Sequence, residues 1–278
     1  MAKGPRPNPN LKVTVEEPRK KATTWTRFLL GLRVLAWGGV LVGVAWGGRR
    51  VEAFLVTDPR FTLECEAPGK ACASLEIHGN VYAGRHRLQS VFEGDFGKSL
   101  VSIPLRERRL QLLAIDWVNS VTISRVWPNR LVLTITEREP VAFAKIPVAM
   151  GRYRMELVDD DGVLLSIPPR VKFQLPVVSG LSEDQSEAAR KVRVHAARHL
   201  LEDLGAEAKD VSEVNAAGVH DMRVIADAGG RAVELWVGDQ HFRSRFVNFL
   251  NHYDQIRQTS DAATVFDLKT DDRISAIR

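Results

Sequence analysis

The sequence predicts an α+β protein with a single amino-terminal transmembrane helix, a compact β-α-α-β-β unit, and a second mixed-sheet unit with two helices. Three observations predict it. One apolar run near the amino terminus is long enough to cross a bilayer. Period-2 and period-3.6 hydrophobic patterns alternate through the rest of the chain. Pro, Gly and Asp clusters punctuate those patterns where the chain must turn.

The apolar run Phe28–Gly48 has 21 residues and one charge, Arg33. At 1.5 Å per residue it spans roughly 30 Å, the thickness of a hydrocarbon core. Arg33 can snorkel to the headgroups, and Trp25 and Trp46 suit the two interfaces. Seven bases precede the run: Lys3, Arg6, Lys12, Arg19, Lys20, Lys21 and Arg27. Only Arg49 and Arg50 follow it closely. This bias keeps the amino terminus in the cytoplasm and places the bulk outside it. A cleaved signal peptide is the competing reading. It is disfavoured by the long polar leader and by the poor cleavage site Val44-Ala45-Trp46. Gly39, Gly43 and Gly47 have the GxxxGxxxG spacing that lets two membrane helices approach closely. Residues 1–27, with four prolines and scattered bases, cannot bury a core and read as a disordered cytoplasmic tail.

Charge follows the same division. The first fifty residues hold ten Lys/Arg against two Glu, whereas the remaining 228 hold 29 Lys/Arg against 32 Asp/Glu. The overall +5 therefore belongs to the tail and is a topology signal, not a nucleic-acid footprint. Residues 49–72 read as a linker or short hairpin. They contain both cysteines of the chain, Cys65 and Cys72, which flank a Pro68-Gly69 turn. Outside the cytoplasm the two can pair as a disulfide or remain thiols; the compartment and the turn favour pairing.

Ser74–His78 alternates and stops at Gly79-Asn80, a short strand and a turn. Gly84–Phe92 has helical spacing, and Pro104 opens a second helix with Leu105, Leu112 and Leu113 on one face and Arg106–Arg109 wet. Val121, Ile123 and then Leu131, Leu133, Ile135 alternate about Trp127-Pro128-Asn129, a hairpin turned by Pro-Asn. Trp127 is expected to pack over the sheet, with exposure to a partner as the alternative. This unit covers 73–139. In 140–278, Val141–Ile146 and Met155–Val158 are strand-like, and Asp159-Asp160-Asp161-Gly162 follows as a tight hairpin turn. A helix is expected over Ser182–Leu204 with Ser182 as N-cap and Gly205 at its end. Met222–Ile225 and Ala232–Val237 form a hairpin across Gly229-Gly230, Phe242–Ile256 is a helix, and Thr264–Leu268 is a last strand at a sheet edge.

The candidates for chemistry are poor. His195 and His199 have i,i+4 spacing but no third ligand, so a solvated helix face is the better reading. The three aspartates lack the spacing of a calcium loop. No nucleophile, phosphate or dinucleotide motif is present. No catalytic residue, metal site or cofactor is expected. A membrane-anchored enzyme acting on the cell wall remains the alternative from another class, although no acid, base or ligand set can be assembled for it.

Ile77-His78-Gly79-Asn80, then Val121–Leu131 with its Trp127-Pro128-Asn129-Arg130, then Thr136-Glu137-Arg138-Glu139-Pro140-Val141-Ala142 resemble the FtsQ/DivIB family of bacterial cell-division proteins. The resemblance continues through Leu157–Leu164 and Leu175–Gly180 to Val265–Lys269, and so covers nearly the whole chain. It implies that 73–139 is a POTRA domain, and that the protein is a scaffold of the division septum in the inner membrane. It also implies FtsB- and FtsL-like single-span partners, with the POTRA unit contributing to recruitment. It places the FtsB contact on Phe266, Asp267, Leu268, Lys269 and Thr270, with Lys269 replacing the family's usual Arg and Thr270 standing where some members carry Tyr. A POTRA unit also suits an outer-membrane assembly factor, but no barrel-like run of strands follows.

Overall fold

The computed structural model describes residues 24–65, 72–259, 262–271 and 273–277; the tail expected over 1–27 falls mostly outside them. The chain divides into two units at Asp58/Pro59, which are taken separately.

The first unit is one helix, α1 (Thr24–Thr57). It is long and apolar enough, over Phe28–Thr57, to cross a membrane. Its large apolar side chains are exposed on every side rather than along one stripe, with Leu35 76% and Trp37 70% accessible, as a lipid-facing helix requires. The helix does not end at Gly48: residues 49–57, expected as the start of a linker, are helical. Loss of hydrophobicity ends a membrane span but not a hydrogen-bonded helix, and Arg49, Arg50, Glu52 and Ala53 are good helix formers. Pro59 enforces the stop, since the residue before a proline is pushed out of helical geometry.

The second unit begins with β1 (Leu75–His78), α2 (Arg85–Ser90), α3 (Leu105–Leu113), β2 (Val118–Val126) and β3 (Arg130–Glu137), a three-stranded sheet in the order β1-β3-β2. β1 runs parallel to β3, and β2 and β3 are the expected hairpin. Leu75, Ile77, Leu131, Leu133 and Ile135 face Leu88, Phe92 and Leu112 from the helices. Gly79 ends β1 at φ +83°, and a Cβ there would lie 2.1 Å from the Ile135 carbonyl oxygen, so no other residue fits. Arg108 is not wet as expected. It forms a two-point ion pair with Asp95, whose side chain is fully buried, at 2.6 and 2.9 Å.

The chain continues through β4 (Pro140–Pro147), β5 (Tyr153–Asp159), β6 (Leu164–Leu165), β7 (Val177–Ser179), α4 (Glu187–Leu204), β8 (Val211–Asn215), β9 (Met222–Asp227), β10 (Ala232–Gly238), α5 (Phe242–Thr259), β11 (Val265–Thr270) and β12 (Arg273–Ile277). These strands form one mixed sheet in the order β12-β11-β10-β9-β8-β7-β4-β5-β6. α4 and α5 pack on one face through Val194, Ala197, Leu200, Phe246 and Phe249 against Ala144, Val178, Val214, Val224, Leu235 and Phe266. α4 starts later than expected, with Ser186 rather than Ser182 as its N-cap; the Ser186 hydroxyl accepts from Ala189 N–H at 3.2 Å. Ser182 is held instead in a preceding turn, its N–H donating to Gln185 Oε1. Leu157 and Leu165 from β5 and β6 belong to the core of the small sheet, so the two sheets share buried surface.

Candidate functional site

β11 sends alternate side chains to opposite faces. Phe266 (1% exposed) and Leu268 (2%) enter the core, with the Phe266 ring 5.1 Å from Phe249 and 6.3 Å from Tyr253. Asp267 and Lys269 face outward. Lys269 Nζ lies 3.2 Å from Asp221 and 5.1 Å from the centre of the Trp236 ring, and Arg223 lies 4.2 Å from the same ring. Of the five residues expected at a partner contact, two are therefore core.

The expected sheet edge is also corrected. β11 is not the edge: β12 pairs antiparallel with it, Val265 opposite Ile277, Phe266 opposite Ala276, Asp267 opposite Ser275 and Thr270 opposite Arg273. Among the described residues nothing pairs with the far side of β12, so this strand carries the free line of N–H and C=O groups. The terminal hairpin is pinned from α5. Arg245, its side chain 7% exposed, donates from Nε to Asp271 Oδ1 at 2.6 Å and from Nη1 to the Val237 carbonyl at 2.9 Å. His241 Nδ1 stands 3.2 Å from the other Asp271 oxygen. The Arg245 hydrogen bond, ahead of the His241 contact, holds the Asp271 carboxyl below its ordinary value.

At the opposite end β6 covers β5 only at Leu157 and Val158, and Tyr153–Glu156 pair with β4 alone among the described residues. β6 is two residues long, and the next residue, Ser166, gives its carbonyl to Trp117 Nε1 (2.9 Å) and its N–H and hydroxyl to Asp116 (3.1 and 2.5 Å). Arg138 Nη1 adds an ion pair to Asp159 at 2.7 Å.

The remaining sequence candidates are scattered. Trp127 at the β2–β3 tip is 52% exposed and meets Phe61 edge-on at 5.4 Å, so it does not pack over the sheet as expected. Its peptide bond to Pro128 is cis, and Asn129 is half-buried beside it. Cys65 and Cys72 form a disulfide with Cα atoms 4.8 Å apart; the Pro68-Gly69 turn lies outside the described residues. Gly39, Gly43 and Gly47 have open space where a Cβ would stand. His195 contacts Asp160, whereas the His199 ring packs 6.0 Å from Phe242, so the two do not converge. Among the described residues no group of three or more His, Cys, Asp or Glu could hold a metal ion.

Sequence reasoning named Glu137 only within a motif and missed its role: its carboxylate accepts from the N–H groups of Val81, Tyr82 and Ala83 at 2.7–3.0 Å and ties β3 to the loop before α2. The signal was available: a glutamate at the end of an apolar strand has a reason to stop there.

One apolar amino-terminal helix long enough to cross a membrane, a β-α-α-β-β unit and a mixed sheet ending in a free strand are the architecture of a POTRA-bearing protein. An FtsQ-type POTRA domain model matches residues 71–138. The chain is 32% identical to the cell division protein FtsQ of Koribacter versatilis, over 92% of this chain and 71% of that one. It is 27% identical to FtsQ of Novosphingobium aromaticivorans over 74% of this chain and 61% of that one. With FtsQ of Myxococcus fulvus it shares 25% identity over 77% and 73%. The chain belongs to the FtsQ family of cell division proteins.

Proposed function

We propose that this protein is a non-enzymatic scaffold of the division machinery. It sits in the inner membrane at the septum with its amino terminus in the cytoplasm, and its extracytoplasmic part binds FtsB- and FtsL-like single-span proteins to coordinate septal wall synthesis. The positive-inside bias ahead of α1 supports the orientation. One observation carries the binding reading: β12 offers a free five-residue pairing edge on a hairpin pinned by Arg245, while β6 at the other end of the sheet is two residues long and tied down at Ser166. A partner's extended segment gains main-chain hydrogen bonds by joining such an edge, and pockets beside it select its side chains. The contact therefore moves from β11 to β12, with Lys269 contributing charge from the outer face.

Proline scanning tests this. Along a strand the N–H groups point alternately to either side, so proline at every second residue of Arg273–Ile277 removes an outward donor and leaves the β11 ladder intact. In the full-length membrane-embedded protein, capture of an FtsB-like partner should fall at alternate positions, with melting unchanged at those positions. Capture that survives proline at all five would sink strand addition at this edge.

A further inference from the structure

The outer face of the large sheet, away from both helices, holds a polar pocket. β4, β7 and β8 are adjacent and parallel, and their register places Lys145, Ser179 and Asn215 in one row near their carboxyl ends. The neighbouring row, Ala144, Val178 and Val214, is in the core beneath the helices, so the first row faces the other way. It borders a pocket of about 350 Å³ that also takes in Glu213, Tyr153 and Gly180. The carboxyl ends of parallel strands are where α/β sheets place ligands.

The unusual member is Ser179. The residue is 7% exposed and its Oγ has no hydrogen-bond partner. An orphaned buried hydroxyl destabilises a fold, and a ligand that accepts from it recovers that cost. The walls around it are already fixed. Asn215 uses its carbonyl on Ala217 N–H (3.0 Å), which leaves its NH₂ as the group it presents. Gln185 holds the 180–185 loop through Gly180 O and Ser182 N. Gly180 sits at φ +83°, where a Cβ would lie 2.3 Å from Ala217 N, so the loop can leave β7 this sharply only with glycine.

The charges decide what fits. Lys145 Nζ is 2.8 Å from Glu213 Oε2, and this pair is half-buried, with side chains 29% and 16% exposed. Lys145 also lies 4.8 Å above the Tyr153 ring, which is 59% exposed. The pair is neutral overall, so an isolated anion is repelled by Glu213 and an isolated cation by Lys145. An amide satisfies both: its carbonyl accepts from Ser179, Asn215 or Lys145, its N–H donates to Glu213, and its plane can lie on Tyr153. We propose that this pocket binds the amide group of a neutral peptide-like ligand about the size of a capped amino acid, with Ser179 as the determinant of binding.

The test uses the full-length ¹⁵N-labelled chain in lipid nanodiscs, titrated with N-acetyl-alanine amide, acetate or methylammonium. The Gly180 amide and the Asn215 side-chain NH₂ should shift saturably with the neutral amide alone. Ser179→Ala should melt no lower than the parent, because it removes an unpaired group, and should bind the amide about tenfold more weakly, the value of one hydrogen bond. Glu213→Gln leaves Lys145 uncompensated and should transfer the preference to acetate. Acetate binding to the parent as well as the amide, no saturable shift with the amide, or Ser179→Ala binding like the parent would each overturn the proposal. A Glu213→Gln variant that failed to fold would leave the Ser179→Ala comparison deciding.

Discussion

The two ends of the nine-stranded sheet are built on opposite principles. At the β6 end the edge is two residues long, Leu165 is fully buried, and Ser166 is bonded through its N–H, carbonyl and hydroxyl to Asp116 and Trp117. At the β12 end the edge is five residues long, its side chains are half-buried or exposed, and it hangs on one hairpin turn held by Arg245. Proteins usually blunt edge strands by shortening or covering them. The β6 end is treated that way from Leu157 to Ser166, although Tyr153–Glu156 of β5 pair on one side only among the described residues, whereas β12 is unpaired along its whole outer side. The difference separates a joint, where β5, β6 and Ser166 pack against the POTRA unit, from a strand with one free side.

Breaking the joint should have the largest effect. The Trp117 indole is 2% exposed, packs 4.8 Å from the Tyr82 ring and donates to Ser166 O. Trp117→Ala removes a large buried ring and strands that carbonyl, so a loss of about 3–5 kcal/mol is expected in denaturant unfolding. Amide exchange should accelerate at Leu164–Ser166 and stay unchanged in β12. Equal acceleration at both ends would mean that they are not independent.

Loosening the open end should cost less. Arg245→Met keeps most of the buried stem and removes the donors to Asp271 and Val237 O. A loss of about 1–3 kcal/mol is expected, because the Val237 carbonyl is left unsatisfied. Exchange should rise across β12 with little change at Ser166, and partner capture should fall even though no β12 residue is altered. Capture that persisted while β12 exchanged freely would show that the pinned hairpin is unnecessary.

The sequence signals explain which end was legible. The POTRA unit and most of the large sheet's strands carry alternation strong enough to read, as Leu131, Leu133 and Ile135 do. β8 has only Val211 and Val214 as apolar residues because it is a short central strand whose outer face carries Glu213 and Asn215. β12 escaped because an edge strand keeps few buried side chains, and Arg273-Ile-Ser-Ala-Ile277 after a polar turn shows little pattern. The weak pattern that hid β12 is also what an unpartnered edge should show. Trp127 misled in the other direction: tryptophan usually packs, but at this hairpin tip it meets Phe61 and stays 52% exposed.

The smallest predicted effect separates the two ends by acid. Asp271 and Asp116 both titrate below the ordinary carboxylate value of 3.8. For Asp271 the chief cause is the Arg245 hydrogen bond, with His241 adding to it. For Asp116 burial pulls upward, and the Ser166 hydrogen bonds and Arg87 more than offset it. A carboxyl depressed in the folded state contributes stability that is present above its unfolded value and is lost as pH falls through its folded value. Both contributions therefore fade in the same window, below about pH 4. What remains afterwards differs. Protonated Asp116 leaves the Trp117–Ser166 bond and the buried Leu157 and Leu165 in place, whereas protonated Asp271 leaves Arg245 only the Val237 carbonyl. Cross-strand NMR contacts between β11 and β12 should weaken on acidification while those of Trp117 with Ser166 persist, and Asp271→Asn should show the weakened hairpin already at neutral pH with no further change. If both ends lose their contacts together, the clamp on Asp271 is not what holds the open edge.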